Sequence, residues 1–467
     1  IVVGSGLSSV IVTEAYIRRI IDVNPYLNCF VEDRFELALK EAEEADAFIK
    51  RGAVPIEQLA LEKPFLGVPF TTKDCIGVKG LHFTAGVYSR KDIIAEKDAD
   101  AIHLLREKGA IPIGLTNVPE VCMWWETYNA IHGRTNNPYN TTRIVGGSSG
   151  GEACLQAVAG SAFGIGSDIG GSIRMPSFFN GIFGHKPTRF SVSNEGQYPI
   201  PTMKIHNSFL GIGPMTRHAV DLKPLLKIIS GNYNKVLKLD EPVDMSKLKV
   251  FYQYENGALM VDNVSTEIKL MIKKAVDHLA IKTGEQANEE NIKYLQKSSA
   301  IWMALMKDET SFAKLITGKD SACNTLLEIG KNLIGRSNNT LIGLITALAD
   351  GASHKVGSPK YLKYLQYKED LESIFKDMLG DNGVFLYPTH PTAAPYHNEP
   401  LVRPLNFCYT SIINCLGLPA TQIPLGLNKE GLPIGLQVIA NHNNDRLCLA
   451  VAEELEKAFG GWVNPSK

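Results

Sequence analysis

The stretch GGSSGGEACLQAVAGSAFGIGSDIGGSIRMP, residues 146–176, sets Ser148, Ser149 and Ser172 beside paired glycines and contains no histidine. Within it, EACLQAVAG has the small-residue spacing of a tightly packed helix, and SAFGIGSD is an apolar run of the length of a buried strand. Helix followed by buried strand is the alternation of an α/β fold, and the flanking segments extend it. FLGVPFTTKD (65–74) reads as a strand, DADAIHLLREKG (98–109) as a helix and AIPIGLTNV (110–118) as a strand, together a βαβ unit with parallel strands. Upstream, residues 8–50 read as two helices broken at Pro25, with Ile11, Ala15, Ile20 and Val23 on one stripe and Phe35, Leu39 and Ala42 on the next. GVFLYPTHPTAAP, LPATQIPLG and PIGLQVIA near the C-terminus are strand-like again, and the Lys- and Glu-rich stretch from about 235 to 375 reads as a helical insertion or layer. The expected architecture is one large α/β domain over residues 1–467, with a mixed, largely parallel central sheet surrounded by helices and core motifs at 65–220 and 383–440.

With 467 residues, 44% of them hydrophobic and 21% charged, the chain can bury a large core and has the balance of a globular protein. Its 48 basic and 49 acidic residues nearly cancel, so no global field draws it to nucleic acid. The eight cysteines, at 29, 75, 122, 154, 323, 408, 415 and 448, form no C-x-x-C pair and no cluster with histidine, which argues against a zinc site and a disulfide framework. No run of about 18 apolar residues occurs, so no membrane span is expected within the sequence. It begins at Ile1 rather than Met, and the expectation is of a preceding N-terminal segment with a targeting or membrane-anchoring role.

A serine attacks a carbonyl only when a base takes its proton, so the glycine-rich stretch needs a base from elsewhere. Phosphate binding fits it poorly, because Gly151 is followed by Glu152 where a P-loop places lysine. Residues 146–150 do satisfy G-x-S-x-G, which in an α/β-hydrolase would make Ser148 the nucleophile, with His390, His397 and His442 as late candidates for the base. That reading leaves Ser172 without a place. A third reading takes the base from Lys73, at the end of an apolar strand where burial favours the neutral amine. If Lys73 bonds Ser148 and Ser148 bonds Ser172, the Ser172 proton reaches a base without histidine. Backbone N–H groups across Ile169, Gly170, Gly171 and Ser172 then converge as an oxyanion hole, with Asp168 and Arg174 bracing the loop and Ser149 in a supporting role.

Lys73, GGSSGGE (146–152) and GSDIGGSIRMP (166–176), with Ser148 and Ser172 24 residues apart, resemble the amidase signature family and its Ser, cis-Ser, Lys triad. The resemblance extends through RTNNPYN, FFNGIFGHKPT and GLPIGLQVIA over nearly the whole chain, weakest at 235–375, and LEKAFGGWV is similar to the animal fatty-acid amide hydrolase 2 branch. It implies an amidase acting on fatty-acid or other lipophilic amides through an acyl-enzyme, with catalytic Lys73, Ser148 and Ser172, no metal and no cofactor. It also implies that VPEVCMWWETYNAIHG (118–133) brings Cys122, Met123 and Trp125 to the acyl-binding region. Expected partners are a lipophilic amide substrate, a membrane met through an N-terminal segment or an apolar cap, and a second copy in a homodimer, with no nucleic acid; LIGLITALA (341–349) reads first as a buried core helix, with a membrane-touching cap as the alternative. An intracellular, membrane-associated location goes with these. An amidotransferase subunit, an esterase using Ser148 and a non-catalytic lipid-binding homologue are the alternatives.

Overall fold

The computed structural model describes residues 6–307, 311–317, 323–351 and 355–465. In chain order the strands are β1 (Phe30–Asp33), β2 (Pro69–Lys73), β3 (Ile111–Thr116), β4 (Tyr128–Asn129), β5 (Gly133–Arg134), β6 (Phe163–Asp168), β7 (Phe183–Lys186), β8 (Gly211–Thr216), β9 (Lys249–Tyr252), β10 (Asn288–Glu289), β11 (Gly383–Tyr387), β12 (Ala420–Leu427) and β13 (Pro433–Ala440). All except β4 and β5, which pair as a small ribbon, join one sheet in the order β1-β3-β2-β6-β8-β7-β12-β13-β11-β9-β10. Its central strands β2, β6, β11 and β13 are buried along their whole length, as expected of a sheet covered on both faces.

The expected mixed sheet is present, and its parallel pairings lie in two blocks, β3-β2-β6 and β11-β9-β10. Between them the run from β6 through β8, β7, β12 and β13 to β11 is antiparallel. Connection length accounts for part of this. β12 and β13 are joined by the tight turn closed by Asn428 and Leu432, which allows only a hairpin, whereas β2 reaches β3 over the helix Asp100–Glu107 and can run parallel.

Two segments differ from the sequence expectation. The first helix, Ser9–Leu27, runs through Pro25, which sits in its last turn and forfeits a single hydrogen bond, and it ends at Asn28 in a left-handed conformation. The helical stretch after residue 235 contains helices Thr266–Thr283, Ser298–Leu305, Phe312–Thr317, Thr325–Leu333, Leu341–Gly351 and Pro359–Leu379, but β9 and β10 interrupt it and extend the sheet through parallel pairing with β11. Among the described residues no helix is long and apolar enough to cross a membrane.

The register of β2 on β6, Thr72 opposite Ile165, brings the carboxyl ends of both strands to one level. Lys73 closes one strand and Asp168 the other. In open α/β sheets that edge is where ligands bind.

Candidate active site

Lys73 is fully buried, and its Nζ donates to Ser148 Oγ at 2.7 Å and to Ser167 Oγ at 3.1 Å. Ser148 follows a cis peptide bond from Gly147 and immediately precedes Ser149, which starts the helix Gly150–Ala157. That helix is fixed to the sheet by the buried Glu152, which accepts from Thr71 Oγ1 at 2.6 Å and from Thr116 Oγ1 at 2.9 Å. Burial pushes the Glu152 carboxyl up to about 7.

Ser149 joins the two serine loops. Its N–H donates to the Ser172 carbonyl at 3.1 Å, and its hydroxyl lies 3.3 Å from the Ser167 carbonyl, to which it donates. Ser172 is 8% exposed, and its hydroxyl has no partner among the described residues, so the expected bond from Ser172 to Ser148 is not formed here.

Asp168 and Arg174 are buried and paired, Nε to Oδ2 at 3.0 Å and Nη2 to Oδ1 at 3.1 Å. Burial alone would raise the Asp168 carboxyl, but the adjoining guanidinium outweighs it and holds the group well below the usual carboxylate range. Arg174 is held in turn by Gln437 Oε1 at 2.7 Å, Asn414 Oδ1 at 2.6 Å and the Thr410 carbonyl at 3.0 Å.

The loop Ile169–Ser172 does not present all four of its expected N–H groups. The Gly171 N–H donates to Asp168 Oδ1 at 2.6 Å, while those of Ile169, Gly170 and Ser172 meet no acceptor among the described residues. Gly171 has φ +120°, and a Cβ there would lie 2.1 Å from Thr410 Oγ1, so the tight turn needs glycine on both counts.

A mostly apolar cavity of about 130 Å³ opens beside these groups, lined among others by Ser148, Ser167, Cys75, Val121, Cys122, Met123, Ile169, Tyr198, Met306, Phe312 and Leu315. Trp125, expected there, is instead 4% exposed in the core, its ring 5.2 Å from that of His390. Val121 (φ 59°) and Cys122 (φ 54°) reverse the chain in left-handed conformations, which sends Met123 to the cavity and Trp125 away from it. A β-branched residue at positive φ is rare, and this turn is clamped by its neighbours.

Glu120 supplies the clamp. Its Oε2 accepts from the Thr340 N–H at 2.9 Å and the Thr340 hydroxyl at 2.6 Å, fastening the turn to the start of helix Leu341–Gly351. Burial pushes its carboxyl from 4.5 up to about 7, against those two bonds. A raised folded pKa means that stability from the neutral form is complete below about 4.5 and is lost as pH rises through 7. Glu120→Gln, neutral at every pH, should therefore gain about 2 kcal/mol relative to the parent between pH 5 and pH 8 in denaturant melts. Parallel profiles for the two proteins would show that Glu120 does not carry this proton.

The late histidines stay apart from Ser148. His390 is fully buried with Nδ1 against the Thr392 carbonyl, burial lowers its pKa to about 4, and His397 faces Glu126 and the Thr141 carbonyl. Spacing alone does not disclose Ser167, Thr410, Asn414 and Gln437. For Thr410 and Asn414 a signal existed, since they stand four apart as polar residues in the mostly apolar CYTSIINCL (408–416).

Enzymes that cleave amides are the class to which this fold and site belong. The Amidase family model matches residues 11–449, and the chain belongs to that family. It is 45% identical to fatty-acid amide hydrolase 2 of Homo sapiens over 98% of this chain and 87% of that protein. To fatty-acid amide hydrolase 2-B of Danio rerio it is 45% identical, over 98% of this chain and 88% of that one. A solved fatty acid amide hydrolase shares the fold, with a TM-score of 0.77 over 99% of this chain and 84% of that chain at 23% sequence identity.

Proposed function

We propose that the protein hydrolyses amides of lipophilic carboxylic acids through an acyl-enzyme on Ser172. The observation that carries this reading is the fully buried Lys73 amine directed onto Ser148 at the edge of an apolar cavity, with Ser172 on the adjoining loop. In the proposed sequence the Ser172 oxygen forms a bond to the amide carbon, and its proton passes through the Ser148 hydroxyl to Nζ of Lys73, the base of the cycle. The negative charge on the former carbonyl oxygen is met by the N–H groups of Ile169, Gly170 and Ser172. As the C–N bond breaks, Lys73 returns the proton through Ser148 to the leaving amine. Water then repeats the cycle at the ester and releases the acid. In this cycle the Ser172–Ser148 bond forms when substrate fills the site, as catalytic hydrogen bonds that are open in a free enzyme commonly do.

The acyl preference is supported by the apolar walls, Val121, Met123, Ile169, Met306, Phe312 and Leu315, and by the names of the two relatives. A lipid surface as the source of substrate is supported by the nearby helices. Helix Thr325–Leu333 buries none of its residues and exposes Leu326, Leu327 and Leu333, with Ile334 following, and the neighbouring helix Leu341–Gly351 exposes Ile345 and Leu348. Of the two readings of 341–349, the core helix describes the face with the buried Gly343, Leu344 and Ala347, and the cap is left to the opposite face.

One experiment tests both parts. Primary amides of increasing acyl length are offered in phosphatidylcholine vesicles to the parent and to a Leu333→Glu, Ile334→Glu double variant. Offered in water without vesicles, the same series should show the parent's kcat/KM rising about fourfold per methylene until the cavity is full, and from vesicles the double variant should turn over the long-chain amides more slowly than the parent while still cleaving short soluble amides. A flat series for the parent would overturn the lipophilic reading, and an unaffected double variant the lipid-surface one.

A further inference from the structure

We infer that Trp302, from the helical stretch least similar to the family pattern, is a positioning residue for the oxyanion-binding groups; the inference rests on the reading of Ser172 as nucleophile. In a planar trans peptide the C=O of one residue and the N–H of the next point in opposite directions, so whatever holds a carbonyl also aims the following N–H. Around the serine loop each carbonyl has its own holder. Asn414 Nδ2 donates to the Asp168 carbonyl at 2.9 Å, Trp302 Nε1 to that of Ile169 at 2.8 Å and Thr410 Oγ1 to that of Gly170 at 2.8 Å. The Gly171 carbonyl accepts from the Met175 N–H at 2.8 Å.

The four holders have unequal consequences. Thr410 fixes the peptide whose N–H belongs to Gly171, and that N–H is already spent on Asp168. Trp302 fixes the peptide whose N–H belongs to Gly170, one of the three left without an acceptor. No other described side chain bonds that peptide. The indole also lies flat enough on the loop that a Cβ at Gly170 would come within 3.3 Å of it, and Phe407 braces it from the side with ring centroids 5.1 Å apart at 75°. A partly exposed tryptophan could satisfy its N–H with water, yet this one is turned onto the loop.

The test separates loss of the N–H from loss of bulk. Trp302→Phe keeps a ring, and benzothienylalanine at position 302 keeps the bicyclic shape while replacing only the N–H by sulfur. Each is assayed with an amide, with a trifluoromethyl ketone of the same acyl chain and with the matching secondary alcohol. Addition of the Ser172 oxygen to the ketone carbon sends the serine proton toward Lys73 and leaves charge on the ketone oxygen; the alcohol develops no such charge. The expected result is about a tenfold loss in kcat with KM little changed, smaller than the hundredfold or more for deleting a direct donor. Ketone affinity should fall by the same factor, with alcohol affinity unchanged. Equal losses for ketone and alcohol, or none for either, would overturn the assignment. Ser172→Ala is run beside them. If it keeps its activity and its ketone affinity, the nucleophile reading fails and this inference falls with it. If it loses both while the Trp302 variants keep the parent's ratio of ketone to alcohol affinity, this inference alone fails.

Discussion

Ser172→Ala is expected to abolish turnover, by about 10⁴-fold or more, and to abolish covalent labelling by a fluorophosphonate. Ser148→Ala should slow labelling by a smaller factor, about 10²-fold, and leave it detectable. The asymmetry comes from surroundings rather than from residue type. Ser148 is 2% exposed with its hydroxyl bonded to Lys73, whereas Ser172 is 8% exposed, its hydroxyl has no partner among the described residues, and it lies on the loop whose Ile169, Gly170 and Ser172 N–H groups meet no acceptor among them. Removing the nucleophile leaves nothing to form the ester, whereas removing the relay leaves room for a water between Ser172 and the amine. Mass spectrometry of the labelled peptides locates the adduct directly. An adduct on Ser148 in the unmutated protein would reverse the assignment and restore the G-x-S-x-G reading.

Lys73→Ala should damage amide hydrolysis more than ester hydrolysis, by an extra factor of about ten or more when acylation limits both. An amide expels a strongly basic amine that must be protonated as the bond breaks, while an activated ester expels an alkoxide that leaves with less help. In the proposed cycle Lys73 serves first as base and then as acid, and its bond to Ser148 is the channel for both transfers. Water reaching Ser148 in the variant can replace part of the first task but little of the second. A matched amide and ester of one acyl chain are the substrates to compare. Equal losses in kcat/KM would confine the lysine to activating the nucleophile or to holding Ser148 and Ser167 in place.

Much of this arrangement was legible in the sequence because its residues lie close together in the chain or at the ends of recognisable strands. Lys73 closes an apolar run, and the pairing of that run with SAFGIGSD is what carries the amine to Ser148. Asp168 and Arg174 are six residues apart, near enough for a short loop to join them. Local pattern did not disclose which way a chain turns after an unusual backbone. The left-handed Val121 and Cys122 exchange the fates of Met123 and Trp125, and neither residue type announces positive φ. Nor could spacing show that the Gly171 N–H is taken by Asp168, which depends on how the loop folds back on its own carboxylate. Trp302 and Asn414 reach the loop only through tertiary packing. The antiparallel middle of the sheet was hidden for a similar reason, since β7 and β12 meet across more than two hundred intervening residues and periodicity carries no information about partners.

The three holders of Arg174 lie 236, 240 and 263 residues further along the chain, at Thr410, Asn414 and Gln437. Order of synthesis gives that separation a biological meaning. A ribosome adding about 5–20 residues per second takes roughly ten to fifty seconds to travel from the serine loop to β13. Throughout that interval the nascent chain already carries Lys73, Ser148 and Ser172, but the loop beside Ser172 lacks the contacts that fix its peptides. An exposed, unfolded serine is no more reactive than any other hydroxyl. A chain cut short before β13 lacks the Gln437 bond to Arg174, so such a fragment is expected to be silent in amide hydrolysis although it carries Lys73, Ser148 and Ser172.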